Sequence, residues 1–90
     1  MKKVIWKFPI NGITSIKVEE NAKVLSSGLD PQGVPCVWIM LDPTKEKNKT
    51  IVVYLIGTGW EFNDEMNENF KFLNTFVEGI YVWHTFVANG

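Results

Sequence analysis

The chain has no arginine, one cysteine and one histidine in 90 residues. Each scarcity excludes something. Arginine is the side chain that grips phosphate and guanine with two parallel hydrogen bonds. Without it, and with the nine lysines scattered, no nucleic-acid footprint is expected. The densest lysines, Lys45, Lys47 and Lys49, sit beside Asp42 and Glu46. Cys36 has no second thiol to pair with, so nothing here requires an oxidising compartment. A lone His84 and a distant Cys36 make a poor metal site, because such sites need clustered ligands. No metal and no cofactor are expected. Long apolar runs are missing too. The opening "KVIWKFPI" is broken by Lys7 and Pro9, so it reads neither as a signal-peptide core nor as a span, and no membrane partner is expected.

What is present is apolar and aromatic. The apolar fraction is 46%, with four Trp, six Phe and two Tyr, which marks an ordered chain. Its length suits one domain over 1–90, and a domain this small buries only about 60–65% of its unfolded surface, so a rich core matters.

The hydrophobic period is two almost throughout, which predicts strands. Val4, Trp6, Phe8 and Ile10 share one face of the first, and Asn11-Gly12 predicts a turn. Ile16 and Val18 alternate with polar residues in the second. "KVLSSGL" is a weaker third, with Gly28 as a candidate bulge. "DPQG" at 30–33 is a β-turn signal. "VPCVWIMLD" and "IVVYLI" are apolar on both faces, which predicts central strands or a subunit interface. Segment 61–69 is polar, with room for one helical turn. Phe70, Phe72 and Phe76 are expected on one face of the next strand, Glu78-Gly79 at a hairpin turn, and "IYVWHTFV" as the last strand. Trp6, Trp38 and Trp83 are expected in the core. The sum is an all-β fold, a single small antiparallel sandwich or barrel of about seven strands.

Candidate chemistry centres on "GTGW" at 57–60. Two glycines after a strand suggest a phosphate loop, but a Walker loop needs a lysine and a dinucleotide fingerprint needs three glycines, and both open a helix. The residues that follow are acidic and short. Gly57 and Gly59 are therefore expected to serve a tight corner, while Thr58, Trp60 and Glu61 could line a ligand or partner surface. His84 lies among Ile80, Val82 and Phe86, so it is expected to be satisfied and partly buried, at the margin of the same site. A Cys36–His84 nucleophile–base pair is opposed by the apolar strand around Cys36, where a thiol is inert. Glu61, Asp64, Glu65 and Glu68 read as a solvated turn, or as an acidic patch for a basic partner.

"VPCVWIMLDP" at 34–43, "IGTGW" at 56–60 and "VWHTF" at 82–86 together resemble a family of small phage-encoded domains of unknown function. "KVIWKFPI" and "AKVLSS" at 22–27 fit the same pattern. Position 60 departs from it, since the family pattern places His after GTG and this chain has Trp60. The resemblance implies a phage origin and a small all-β domain, and it brings no catalytic residues. On that footing the chain is expected to be a non-enzymatic accessory protein in the host cytoplasm, binding a host protein or sequestering a small metabolite. A virion or assembly role is the alternative, and a small enzyme with a pocket near His84 ranks third. The two doubly apolar strands exceed what one small sandwich hides, so a homo-oligomer is expected.

Overall fold

The computed structural model describes residues 2–63 and 70–90. Among these residues are seven strands: β1 (Val4–Pro9), β2 (Ile13–Val18), β3 (Lys23–Leu29), β4 (Pro35–Leu41), β5 (Lys49–Gly57), β6 (Phe70–Glu78) and β7 (Tyr81–Ala88). They form two antiparallel sheets, ordered β1-β4-β3 and β2-β5-β7-β6. The fold is the all-β sandwich that the alternation predicts. The two doubly apolar segments are β4 and β5, and both lie inside their sheets.

Alternation assigns the faces. Val37, Ile39 and Leu41 of β4 meet Ile51, Val53 and Leu55 of β5, and Ile10, Ile16, Val18, Ala22 and Val87 join them in the core. Full burial of each such side chain contributes about 1.5–3 kcal/mol. Trp83 packs against this core as expected. Trp6 and Trp38 do not enter it. Trp6 lies on edge strand β1, which has a neighbouring strand on one side only, and it is half exposed. Trp38 points to the opposite side of β4 and lies against Gly28, whose missing Cβ leaves its position 3.6 Å from the indole. Gly28 is thus in register opposite Cys36, and the bulge of β3 falls between Val24 and Ser26 instead.

A second bulge decides the aromatic pattern. The β6–β7 register shifts between Phe72 and Asn74. One inserted residue reverses every later side chain. Phe70 and Phe72 therefore face outward, whereas Phe76 turns inward against the core, unlike the single face that strict alternation predicts.

The same shift aims Asn74 across the sandwich. Its side-chain amide carries the donor and acceptor of a peptide group and serves edge strand β3 as one. Asn74 Oδ1 accepts the Ser27 N–H at 2.9 Å, and Asn74 Nδ2 donates to the Ser27 carbonyl at 2.9 Å. Ser27 Oγ lies 2.7 Å from Thr85 Oγ1, and Thr85 Oγ1 donates to the Asn74 carbonyl at 3.0 Å. Ser27 and Thr85 are buried, so this polar seam must be complete, and it is. Among the described residues, no buried side-chain nitrogen or oxygen lacks a partner.

Glu19 ties the sheets at the other side. Only 3% exposed, it accepts the N–H groups of Asn21 at 2.6 Å and Asp42 at 2.8 Å. The bond from Asp42 N–H, reinforced by that from Asn21, holds its carboxyl below the usual range despite burial.

Candidate functional site

The GTGW segment is a β-turn. The Trp60 N–H donates to the Gly57 carbonyl at 3.1 Å, and Gly59, at the third position, has φ +86°. Positive φ at that position defines a type II turn and favours glycine. Thr58 N–H donates to the Val82 carbonyl at 3.0 Å. Two of the amides that a phosphate cradle would present are thus spent on the fold. Gly57 serves differently. Its φ is not positive, but a Cβ there would stand 2.7 Å from Trp60 Cε2 and 2.8 Å from Trp60 Nε1. The absent side chain is the seat of the Trp60 ring. That ring also meets Trp83 edge-on, at 5.3 Å between centroids and 89° between planes.

Thr58 then links the turn to His84. Thr58 Oγ1 lies 2.6 Å from His84 Nε2, and Thr75 Oγ1 lies 2.9 Å from His84 Nδ1. Thr58 Oγ1 also donates to the Val82 carbonyl at 3.3 Å. In either tautomer of the ring, each His84 nitrogen has a threonine hydroxyl able to donate to it or accept from it. Both ring nitrogens are engaged, as expected of a satisfied, partly buried histidine. Glu61 is exposed beyond the turn. Asp64, Glu65 and Glu68 lie outside the described residues.

Cys36 and His84 do not meet. Cys36 is fully buried on the side of β4 that faces away from the core, paired in register with Pro9 and Gly28. His84 lies on the outer side of the other sheet. Burial pushes the Cys36 thiol up, with the nearby Asp30 carboxylate adding to it. Lys7, ion-paired to Asp30 at 2.8 Å, lies over this region.

Around His84 the outer face of the four-stranded sheet is aromatic. Phe70 stacks on Phe86 at 5.0 Å, Phe72 meets Phe86 edge-on at 5.5 Å, and Tyr54 tilts against Phe70 at 4.9 Å. Phe62 returns from the loop to within 6.0 Å of Phe86. Much of this surface is open: Ile13 is 71%, Phe72 58% and Val77 60% exposed. A 310 Å³ apolar cavity lies between Ile13, Tyr54, Ile56, Trp60, Phe62 and Phe70. A second cavity of 210 Å³ runs along Thr58, Phe72, His84 and Phe86.

Five of the six residues singled out from sequence therefore cluster: Gly57, Thr58, Gly59, Trp60 and His84 share the second cavity. Glu61 does not line it. Sequence reading missed Tyr81, Glu78 and the phenylalanine face. Alternation carries a signal for the first, since Tyr81 and Trp83 are two apart in one strand and must share a side.

These features define a small antiparallel β-sandwich with one aromatic outer face and an indole-capped corner. The family model described as "Domain of unknown function (DUF7352)" matches residues 1–90, and the chain belongs to that family. No curated protein and no solved structure matches the chain. Among the described residues, no helix is long and apolar enough to cross a membrane, and no group of three or more His, Cys, Asp and Glu could hold a metal ion.

Proposed function

We propose that this protein is a non-catalytic binding module that engages a protein partner through the outer face of its four-stranded sheet. The observation that carries this reading is the open apolar surface formed by Ile13, Phe62 and Phe72 around the Phe70–Phe86 stack, with Val77 exposed further along β6 beyond Thr75 and His84. A half-exposed aromatic ring leaves about 100 Å² in water, so the patch amounts to several hundred Å², and a monomer rarely exposes that without a use. The groups best suited to catalysis support the same view. His84 has both nitrogens held by threonines, and the Cys36 thiol is enclosed.

The setting follows from the family resemblance: a phage accessory factor working in the host cytoplasm, with a host protein as partner. Phe72→Ser and Val77→Ser together test it. Tagged wild-type protein expressed in infected cells should retain a host protein that the folded double variant loses. Light scattering on the purified protein separates this from self-association. A dimer abolished by the same variant would assign the face to a second copy. Capture unchanged by the double variant would refute the use of this face.

A further inference from the structure

We propose that the corner formed by Trp60, Trp83 and Tyr81 is a binding site for an organic cation: an ammonium group carried on an apolar stem. This corner shares Gly57, Thr58 and Trp60 with the second cavity of the outer face, but only this corner is lined by Tyr81 and Trp83, and it goes beyond the proposed function. A cavity of 260 Å³ opens here, lined by Gly57, Thr58, Trp60, Tyr81, Val82 and Trp83, with Ile80 at its rim. No residue of the three-stranded sheet lines it. At this end of β7, Tyr81 meets solvent while Trp83 reaches from the core to the cavity wall.

Three features fit a cation. The first is ring geometry. Trp60 stands at 89° to Trp83, and Tyr81 stacks on Trp83 at 5.8 Å, so indole and phenol rings form adjoining walls. Ring faces carry negative quadrupole potential, and tryptophan attracts cations most strongly. The second is Glu78. Its Oε1 accepts the Trp83 Nε1–H at 3.0 Å. That bond places a carboxylate at the edge of the aromatic wall and pushes electron density into the indole, which strengthens its pull on a cation. The third is charge. Among the described residues of 50–90, the acidic side chains are Glu61 and Glu78, and the one lysine is Lys71. Lys71 pairs in register with Val87, near the far end of β7 from Tyr81. The walls are half open, with Tyr81 59% and Trp60 57% exposed, so a ligand can enter without unfolding the corner. The cavity suits a single headgroup or side-chain terminus.

The test is an NMR titration of the intact protein, following the indole N–H signals of Trp60 and Trp83. The probes are choline and its neutral carbon isostere 3,3-dimethylbutan-1-ol. Choline should shift both signals and bind about fivefold or more tightly than the alcohol, the margin expected for a cation–π contact. Glu78→Gln keeps an acceptor for the Trp83 N–H but removes the charge. It should weaken choline about threefold and leave the alcohol unchanged. Trp60→Ala, which alters a half-exposed loop residue, should abolish the preference for choline in a folded protein. A further titration with Nα-acetyl-lysine methylamide identifies the source: tighter binding than choline assigns the corner to a partner's lysine, and weaker binding to a free alkylammonium compound. Equal affinity for choline and the alcohol would overturn the proposal, as would the absence of shifts at ~50 mM choline, where a 1 mM site is saturated.

Discussion

The two faces of the β6–β7 hairpin each carry a group of the kind expected on the other, although Leu73, Phe76, Trp83 and Val87 still point into the core. The inward face carries Asn74 and Thr85, joined to Ser27 in a closed set of hydrogen bonds. The outward face, on the same two strands, carries Phe70, Phe72 and Phe86. Polar groups inside are tolerable only because every one is paired. Apolar groups outside are retained although water disfavours them. The contrast separates stability from function. The inner polar set ties the two sheets together, and the outer aromatic set is the surface on which the proposed function rests.

The sharpest way to break the contrast is Asn74→Ala. It leaves the Ser27 N–H and carbonyl buried without partners, at about 1–3 kcal/mol each. Denaturant unfolding should show a loss of about 3 kcal/mol or more. Thr85→Val keeps the shape and removes one hydroxyl, so the same measurement should give about 1–2 kcal/mol. Gly59→Ala places a Cβ at φ +86° in otherwise open space, and should cost about 1 kcal/mol from backbone strain alone. Gly57→Ala should instead displace the Trp60 ring, seen as a changed tryptophan fluorescence with the fold retained.

Acid tests the opposite side of the molecule. The carboxyls of Glu19, held down by the Asp42 N–H, and of Asp42, held down by the Thr44 hydroxyl and N–H, both lie below their usual values. A depressed carboxylate contributes stability above its unfolded pKa of about 4 and loses it as pH falls through the folded value. The melting temperature should therefore drop below about pH 4, and Glu19→Gln should flatten that drop. Smallest of all should be Phe72→Ser. It changes an exposed side chain, so stability should move by about 0.5 kcal/mol or less, while partner binding falls.

Much of this architecture is legible in the sequence. Period-two alternation marks all seven strands, and Asn11-Gly12, Asp30–Gly33 and Glu78-Gly79 mark turns that the structure contains. The positions of the bulges are not legible. Neither Leu25 nor Leu73 differs in chemistry from a regular strand residue, yet each sits at a register shift. Phe76 is misplaced by pure alternation for that reason alone. Gly57 shows a similar limit: sequence marks the glycine, but only the packed Trp60 ring explains it. The corner of Trp60, Tyr81 and Trp83 depends on two strands and a turn meeting at one end of a sheet, which no local window contains.

Asn74 also determines where the molecule can grow. A sandwich of two open sheets has four edge strands, and each is a template for adding another chain. Here β3 and β6 face one another across the Asn74 amide, so each shields the other. The remaining edges are β1 and β2. β1 carries Lys7 and Pro9, and β2 carries Lys17. Charge and proline are the standard deterrents to strand addition. With β3 and β6 tied together through this asparagine, two of the four edges remain where strand addition could begin.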